Sequence, residues 1–250
     1  HKPVVHISGG EQTGGIDDYI RHAITKLSHL HFTSTELYRE RVISLGENPD
    51  TVFWVGEPGL DNIDKVESLD FNGFLICYHP TFNNSYLDEL FKALNTITEE
   101  IIFTTPQQDL GYKEILFKIS KFVDRHTNSK FIHSFPSRYN YLSHLKSCKA
   151  LIGNSSSGIV EAAFFGTPFI NIGNRQYKRI QGNNVYNVDL DAVQILEAIY
   201  TITYRGHVSK PYNPYYKDGK AIENIIKIIK QKYWNFKRTR NFYILSIMTV

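Results

Sequence analysis

The sequence predicts an α/β chain built on parallel sheets. Strand-like and helix-like segments alternate almost throughout its 250 residues, the pattern of βαβ units. A Pro/Gly-containing break, "EPGLDNIDKVES", divides the alternation into a short first part and a longer second one. A long amphipathic helix follows the second part.

The elements read in order. "PVVHIS" is a strand. "IDDYIRHAITKLSH" is a helix, with Ile20, Ile24, Leu27 and Leu30 near helical spacing and Asp17 and Asp18 in its first turn, where negative charge suits the helix dipole. "LHFTS" is a strand, "TELYRERVISLG" a helix and "TVFWVG" a strand. After the break, which reads as an interdomain hinge, come "GFLICYH" (strand), "SYLDELFKALNTI" (helix) and "EIIFTTP" (strand). "YKEILFKISKFVDRH" (helix), "KFIHSF" (strand) and "RYNYLSHLKSC" (helix) follow. "ALIGN" is a strand that runs into "GNSSSGIVEAAFFGTPFINIGNRQ", a serine-rich turn, a short helix and another strand. "NVYNVD" is a strand and "LDAVQILEAIYTI" a helix. "GKAIENIIKIIKQKY" is the long helix, with Ile222, Ile225, Ile226 and Ile229 on one face. The tail "NFKRTRNFYILSIMTV" is basic, then apolar, and breaks the pattern. The expected division is therefore half of a first domain over 1–63, a full doubly wound domain over 64–208, a closing helix over 209–232 and an atypical tail over 233–250.

Composition narrows the function classes. Hydrophobic content of 42% and charged content of 21% are ordinary for a globular chain. A net charge of +3 is too small to argue for nucleic acid, and no nucleic-acid-binding signature supports it. The two cysteines, Cys77 and Cys148, form no CxxC pair, so neither a disulfide framework nor a zinc knuckle is expected; a reducing, cytoplasmic setting fits. No run reaches the ~20 apolar residues of a membrane span, and no signal peptide opens the chain.

Three stretches carry chemistry. In doubly wound sheets, ligands bind outside the carboxyl ends of strands. "ALIGN" ends where Ser155, Ser156 and Ser157 begin. Unsatisfied N–H groups at a helix start favour an anion, Ser156 and Ser157 add hydroxyl donors, and Gly158 allows close approach. Glu161, one turn on, suits the two hydroxyls of a ribose better than a phosphate. Arg175 follows the next strand and adds positive charge. An ordinary capped helix with a solvated Glu161 explains the same letters about as well.

"HISGGEQTGGIDDYIRH" is acidic around a flexible turn. Glu11, Asp17 and Asp18 are candidates for acid/base work, or the aspartates are a helix cap. His6, His22, His29 and His31 lack any metal-ligand spacing, so no metal is expected. In "LICYHPTFNNS", His79 ends a buried strand and points at the ligand crevice, or is a hydrogen-bonded edge histidine.

Together the strings "HISGGEQTGGIDDYIRHAITKLSHLHFTSTELYRERVISLGE", "YHPT" and "GNSSSGIVEAAFFGTPFINIGNRQ" resemble the UDP-N-acetylglucosamine 2-epimerase family, most closely its hydrolysing, sialic-acid-pathway branch. The similarity runs from His1 to about Gln231. It implies two Rossmann-like domains of GT-B type, the first incomplete here. It implies that Ser156 and Ser157 contact the diphosphate, Glu161 the ribose and Arg175 the phosphates or nearby groups. His79 would lie near the leaving diphosphate, and Asp17 and Glu11 would act on the sugar. One departure is Ser8, where the animal branch carries an acidic residue. The implied reaction eliminates UDP with loss of the C2 proton, then adds water to give N-acetylmannosamine or a related 2-epimer. It needs no metal or redox cofactor. The expected partners are UDP-N-acetylglucosamine or a related UDP-sugar and, in the intact parent, further copies of itself; neither nucleic acid nor membrane is expected. In the family, two arginine-bearing loops precede the part that aligns with His1, so the chain as given is expected to be inactive. A GT-B glycosyltransferase and a non-catalytic UDP-sugar sensor are the alternatives.

Overall fold

The computed structural model describes residues 3–15, 17–81 and 86–237. In chain order these form β1 (Val5–Ile7), α1 (Asp17–Leu27), β2 (Leu30–Thr33), α2 (Glu36–Ser44) and β3 (Val52–Trp54). Next come β4 (Phe74–Cys77), α3 (Tyr86–Leu94), β5 (Ile101–Thr104), α4 (Tyr112–Val123), β6 (Ser129–Ile132) and α5 (Arg138–Ser147). The chain continues through β7 (Ala150–Gly153), α6 (Glu161–Phe165), β8 (Phe169–Ile172), β9 (Val185–Val188), α7 (Ala192–Arg205) and α8 (Ala221–Lys237). All the strand pairings are parallel. The chain divides into two compact units, 1–64 with 214–250, and 65–213.

The first unit holds a sheet in the order β1-β2-β3. Its core is Val5, Leu30, Phe32 and Val55, closed by Ile225 from α8. Two devices bring the distant α8 onto this sheet. Asp61 accepts the backbone N–H groups of Ala221 and Ile222, each at 2.8 Å, and so caps the helix start. Tyr215, just upstream, is fully buried against Tyr38, their hydroxyls 3.0 Å apart. The expected apolar face of α8 is corrected: Ile225 is buried, while Ile222 and Ile226 are exposed. A helix on a three-stranded sheet can bury only a narrow stripe, and Ile225 with Ile228 and Ile229 fills it. α8 also runs into the expected tail as far as Lys237; the rest of the tail lies outside the described residues.

The expected apolar stripe of α1 is corrected too. Ile20 and Leu27 are exposed, Leu30 belongs to β2, and the buried side chains of the helix are Arg21 and Thr25. The helix packs through polar groups: Thr25 meets the ring of buried His6 at 3.2 Å, and Arg21 reaches Asp18 at 3.0 Å.

The second unit is a doubly wound sheet in the order β6-β5-β4-β7-β8-β9. The four central strands, "FLIC", "IIFT", "ALIG" and "FINI", are buried at nearly every position. That is why they read as continuous apolar runs, as strands covered on both faces must. The edge strands β6 and β9 are half exposed and more polar. Each fully buried Leu, Ile or Phe contributes about 1.5–3 kcal/mol, and the core from Phe74 and Ile152 to Ile199 and Ile202 is built of them. Strand order reverses between β4 and β7, which makes the carboxyl ends of those two strands the ligand-binding position of such a sheet. Among the described residues, no helix is long and apolar enough to cross a membrane.

Candidate functional site

The switch point is tightly built. β7 ends at Gly153, where a Cβ would lie 2.0 Å from the carbonyl oxygen of Cys77 on β4, and where φ is +143°. Only glycine lets the two strand ends approach this closely. The next residue, Asn154, therefore lands on β4's continuation. Its Oδ1 accepts the backbone N–H of His79 at 2.7 Å, and its Nδ2 donates to the His79 carbonyl at 2.9 Å.

The His79 ring is also held. Its Nδ1 accepts the backbone N–H of Gln107 at 3.1 Å. A ring nitrogen that accepts carries no proton, so the neutral imidazole is protonated at Nε2. Burial, with the Arg175 guanidinium adding to it, lowers the His79 pKa to about 4. His79 in the free chain is thus a neutral ring near pH 7 that carries an N–H and no charge. Its Nε2 faces the Cys77 sulfur at 3.6 Å, a weak acceptor. Burial raises the pKa of that thiol, which stays protonated.

Arg175 closes the cluster. Its Nη1 donates to the Asn154 carbonyl at 3.1 Å and its Nη2 to the Gln107 side chain at 2.7 Å. A cation, a neutral N–H donor and a hydroxyl-bearing turn lie at the end of the sheet, groups of the kind that can stabilise an oxyanion. Among the described residues, no three His, Cys, Asp or Glu side chains group as metal ligands would.

The serines divide their work. Ser155 is buried, and its hydroxyl accepts the N–H of Ser157 at 3.3 Å. Ser157 Oγ lies 2.5 Å from the hydroxyl of Tyr141. Ser156 is half-buried and has no side-chain partner among the described residues. Two expectations change here. The serines form a single 3₁₀ turn, Ser156–Gly158, and α6 begins only at Glu161 and has five residues. So short a helix supplies little dipole, and the N–H groups of Gly158, Ile159 and Val160 are already bonded to Ser155 and Ser156 carbonyls. Gly158 serves packing rather than ligand approach, since a Cβ there would lie 2.3 Å from the ring of buried Phe169.

Glu161 is ion-paired and not simply solvated. Its Oε1 accepts from Arg138 Nη2 at 3.0 Å. Burial raises the Glu161 pKa, and Arg138 opposes that shift. Arg138 and Tyr141 sit one turn apart at the start of α5, so one helix end orders both Glu161 and Ser157.

Glu11, Asp17 and Asp18 belong to the first unit. Glu11 is buried, its Oε2 4.0 Å from Arg21 Nη2. Asp17 is exposed in the first turn of α1. Asp18 folds the loop instead: it accepts the N–H groups of Thr13 and Gly14 at 2.8 and 2.9 Å, and Arg21 Nη1 at 3.0 Å. Burial pushes the Asp18 pKa up, but these bonds outweigh it and hold the carboxyl below its usual value. Ser8, at the end of β1, adopts φ +63°, a strained conformation for a non-glycine residue.

Asn154, Gln107, Arg138 and Tyr141 were not singled out by the sequence. Asn154 alone left a signal, as the polar end of an otherwise apolar strand. Gln107 and Arg138 meet their partners across 68 and 23 residues, beyond any local pattern.

The chain has clear relatives. The profile of the family described as UDP-N-acetylglucosamine 2-epimerase matches residues 1–230. A Legionella pneumophila protein named UDP-N,N'-diacetylbacillosamine 2-epimerase (hydrolyzing) is 36% identical over 91% of this chain and 64% of its own length. A Neisseria meningitidis UDP-N-acetylglucosamine 2-epimerase is 35% identical over 78% of this chain and 56% of its own length. The chain thus spans less than two thirds of these curated relatives. The Methanocaldococcus jannaschii UDP-GlcNAc 2-epimerase crystallised with UDP-GlcNAc and UDP shares the fold, with a TM-score of 0.74 at 16% identity over 92% of this chain and 69% of that one. By profile, identity and parallel-sheet architecture together, the chain belongs to the UDP-N-acetylglucosamine 2-epimerase family.

Proposed function

We propose that the protein is a hydrolysing UDP-sugar 2-epimerase, releasing UDP and a free 2-epimeric amino sugar. The observation that carries this reading is the cluster at the switch point, where Asn154 and Gln107 hold His79 and Arg175; we read it as a diphosphate site. Ser156 adds a hydroxyl, and Glu161 takes the ribose through the carboxylate oxygen that Arg138 leaves.

Negative charge grows on the diphosphate as the bond from sugar C1 to oxygen breaks. Arg175 stabilises it there, and the Nε2–H of His79 becomes a second donor by giving up its weak contact with the Cys77 sulfur. The leaving group is already an anion, so it needs hydrogen-bond donation and not a proton, which suits a histidine with a pKa near 4. Glu11 and Asp17 carry the acid/base work: one removes the C2 proton as UDP departs, giving a glycal, and water then adds with the opposite C2 configuration. The relatives' names favour this over glycosyl transfer. The whole protein acts in a soluble, reducing compartment on UDP-N-acetylglucosamine or a diacetylated relative, as a homo-oligomer.

Proton NMR of UDP-N-acetylglucosamine incubated with the protein tests the reading. UDP appearing in step with free N-acetylmannosamine supports it. UDP release that requires an added sugar acceptor contradicts it.

A further inference from the structure

His79 carries one proton that the free chain barely uses. Its Nδ1 accepts the Gln107 N–H at 3.1 Å, which puts the ring proton on Nε2. Among the described residues, the only acceptor that this N–H meets is the Cys77 sulfur, at 3.6 Å. The ring is fixed in that direction. Asn154 holds both backbone groups of His79, at 2.7 and 2.9 Å, and His79 and Cys77 are both buried.

The residue type at position 77 decides how tightly the proton is held. A buried N–H without any acceptor is costly, and a hydroxyl oxygen in the same place would hold it firmly. A thiol lies between the two. It is a weak acceptor, and burial keeps it protonated and uncharged. The rest of β4, Phe74, Leu75 and Ile76, is apolar and buried, so Cys77 is the one side chain of the strand that can accept at all.

We propose that Cys77 is a positioning residue for this donor: its sulfur parks the His79 Nε2–H in the free chain and gives it up to a phosphate oxygen of the ligand. The inference rests on the reading of His79 as a donor to the diphosphate. An anionic oxygen is a far stronger acceptor than a thiol sulfur, so the exchange runs downhill, and no bond of comparable strength is broken to make it. The ligand-free chain then sets the affinity. Whatever holds the parked proton more firmly weakens diphosphate binding, and whatever leaves it without an acceptor does not.

Calorimetric titration of the 250-residue chain with UDP and with uridine tests this, comparing wild type with Cys77→Ser and Cys77→Ala. Uridine lacks the diphosphate, so it reports on the rest of the site, and its retained binding doubles as a check on folding. The expected result for Cys77→Ser is UDP affinity weakened about three- to tenfold, the strength of one neutral hydrogen bond. Cys77→Ala should bind UDP at least as tightly as wild type, and uridine affinity should be unchanged in both variants. Cys77→Ser binding UDP as tightly as wild type overturns the inference. Equal weakening of UDP and uridine overturns it as well, because the cysteine then serves packing alone. So does Cys77→Ala losing UDP affinity with uridine unchanged, because the sulfur then supports the bound state. A wild-type chain that binds UDP no better than uridine, or binds neither, removes the diphosphate reading itself.

Discussion

Asn154 grips His79 through both of its backbone groups, at 2.7 and 2.9 Å, while the Asn154 carbonyl holds Arg175 at 3.1 Å. One asparagine at the end of β7 thus positions a residue that follows β4 and another that follows β8. Asn154→Ala leaves a buried N–H and a buried carbonyl without partners. The expected cost is about 2–4 kcal/mol, read as a lower urea midpoint with an unchanged slope.

His79 and His6 give the protein a pH-dependent stability. Burial first, then Arg175, holds His79 at about 4 instead of 6.5. Burial first, then His31, Arg21 and His22, does the same for His6. Both rings stay neutral when folded and take up protons when unfolded. Their contribution is therefore fully present above the ordinary value of 6.5 and is lost as pH falls toward 4. Each shift corresponds to roughly 3 kcal/mol. Urea unfolding from pH 7.5 to 4.5 should show falling stability, and His79→Gln should flatten the fall in the second unit. A pH-independent midpoint contradicts the assignment.

Asp17 and Asp18 are neighbours with different fates. Asp18 holds Thr13, Gly14 and Arg21, whereas Asp17 is exposed. Asp18→Ala should destabilise the chain by about 2–3 kcal/mol, and Asp17→Ala by less than about 0.5 kcal/mol. The folded Asp18 carboxylate is favoured, so its contribution is present above its ordinary pKa of 3.8 and disappears as pH falls through the lowered folded value. Equal denaturation curves for the two variants would remove Asp18 from its structural role.

Ser156 and Ser157 should separate ligand binding from stability. Ser157 is engaged with Tyr141, so Ser157→Ala should cost about 1 kcal/mol of stability. Ser156→Ala should leave the melting curve unmoved and weaken UDP binding several-fold, by calorimetry. The reverse pattern would exchange their roles.

The second sheet was legible because its central strands are covered on both faces, so that "FLIC" and "ALIG" carry almost nothing but apolar letters. The first unit was less so. α1 buries Arg21 and Thr25 against polar partners, and periodicity misreads the exposed Ile20 and Leu27 as its core. The positions of the candidate residues are half legible. His79, Ser156 and Arg175 stand at strand ends, where spacing and residue type both point. The groups that orient them do not, because Gln107 and Arg138 act through the tertiary fold. The letters alone leave Glu161 open, and only the fold pairs its Oε1 with Arg138.

The central claim is that the switch point beside His79 and Arg175 holds a nucleoside diphosphate. Titrating UDP into the 250-residue chain and into Arg175→Met, with melting curves of both, tests it most directly. The account predicts a single UDP site in the wild type, weakened at least about tenfold by the loss of a charge-assisted contact, with folding retained. A folded wild-type chain that does not bind UDP, or an Arg175→Met variant that binds it equally well, would contradict the account.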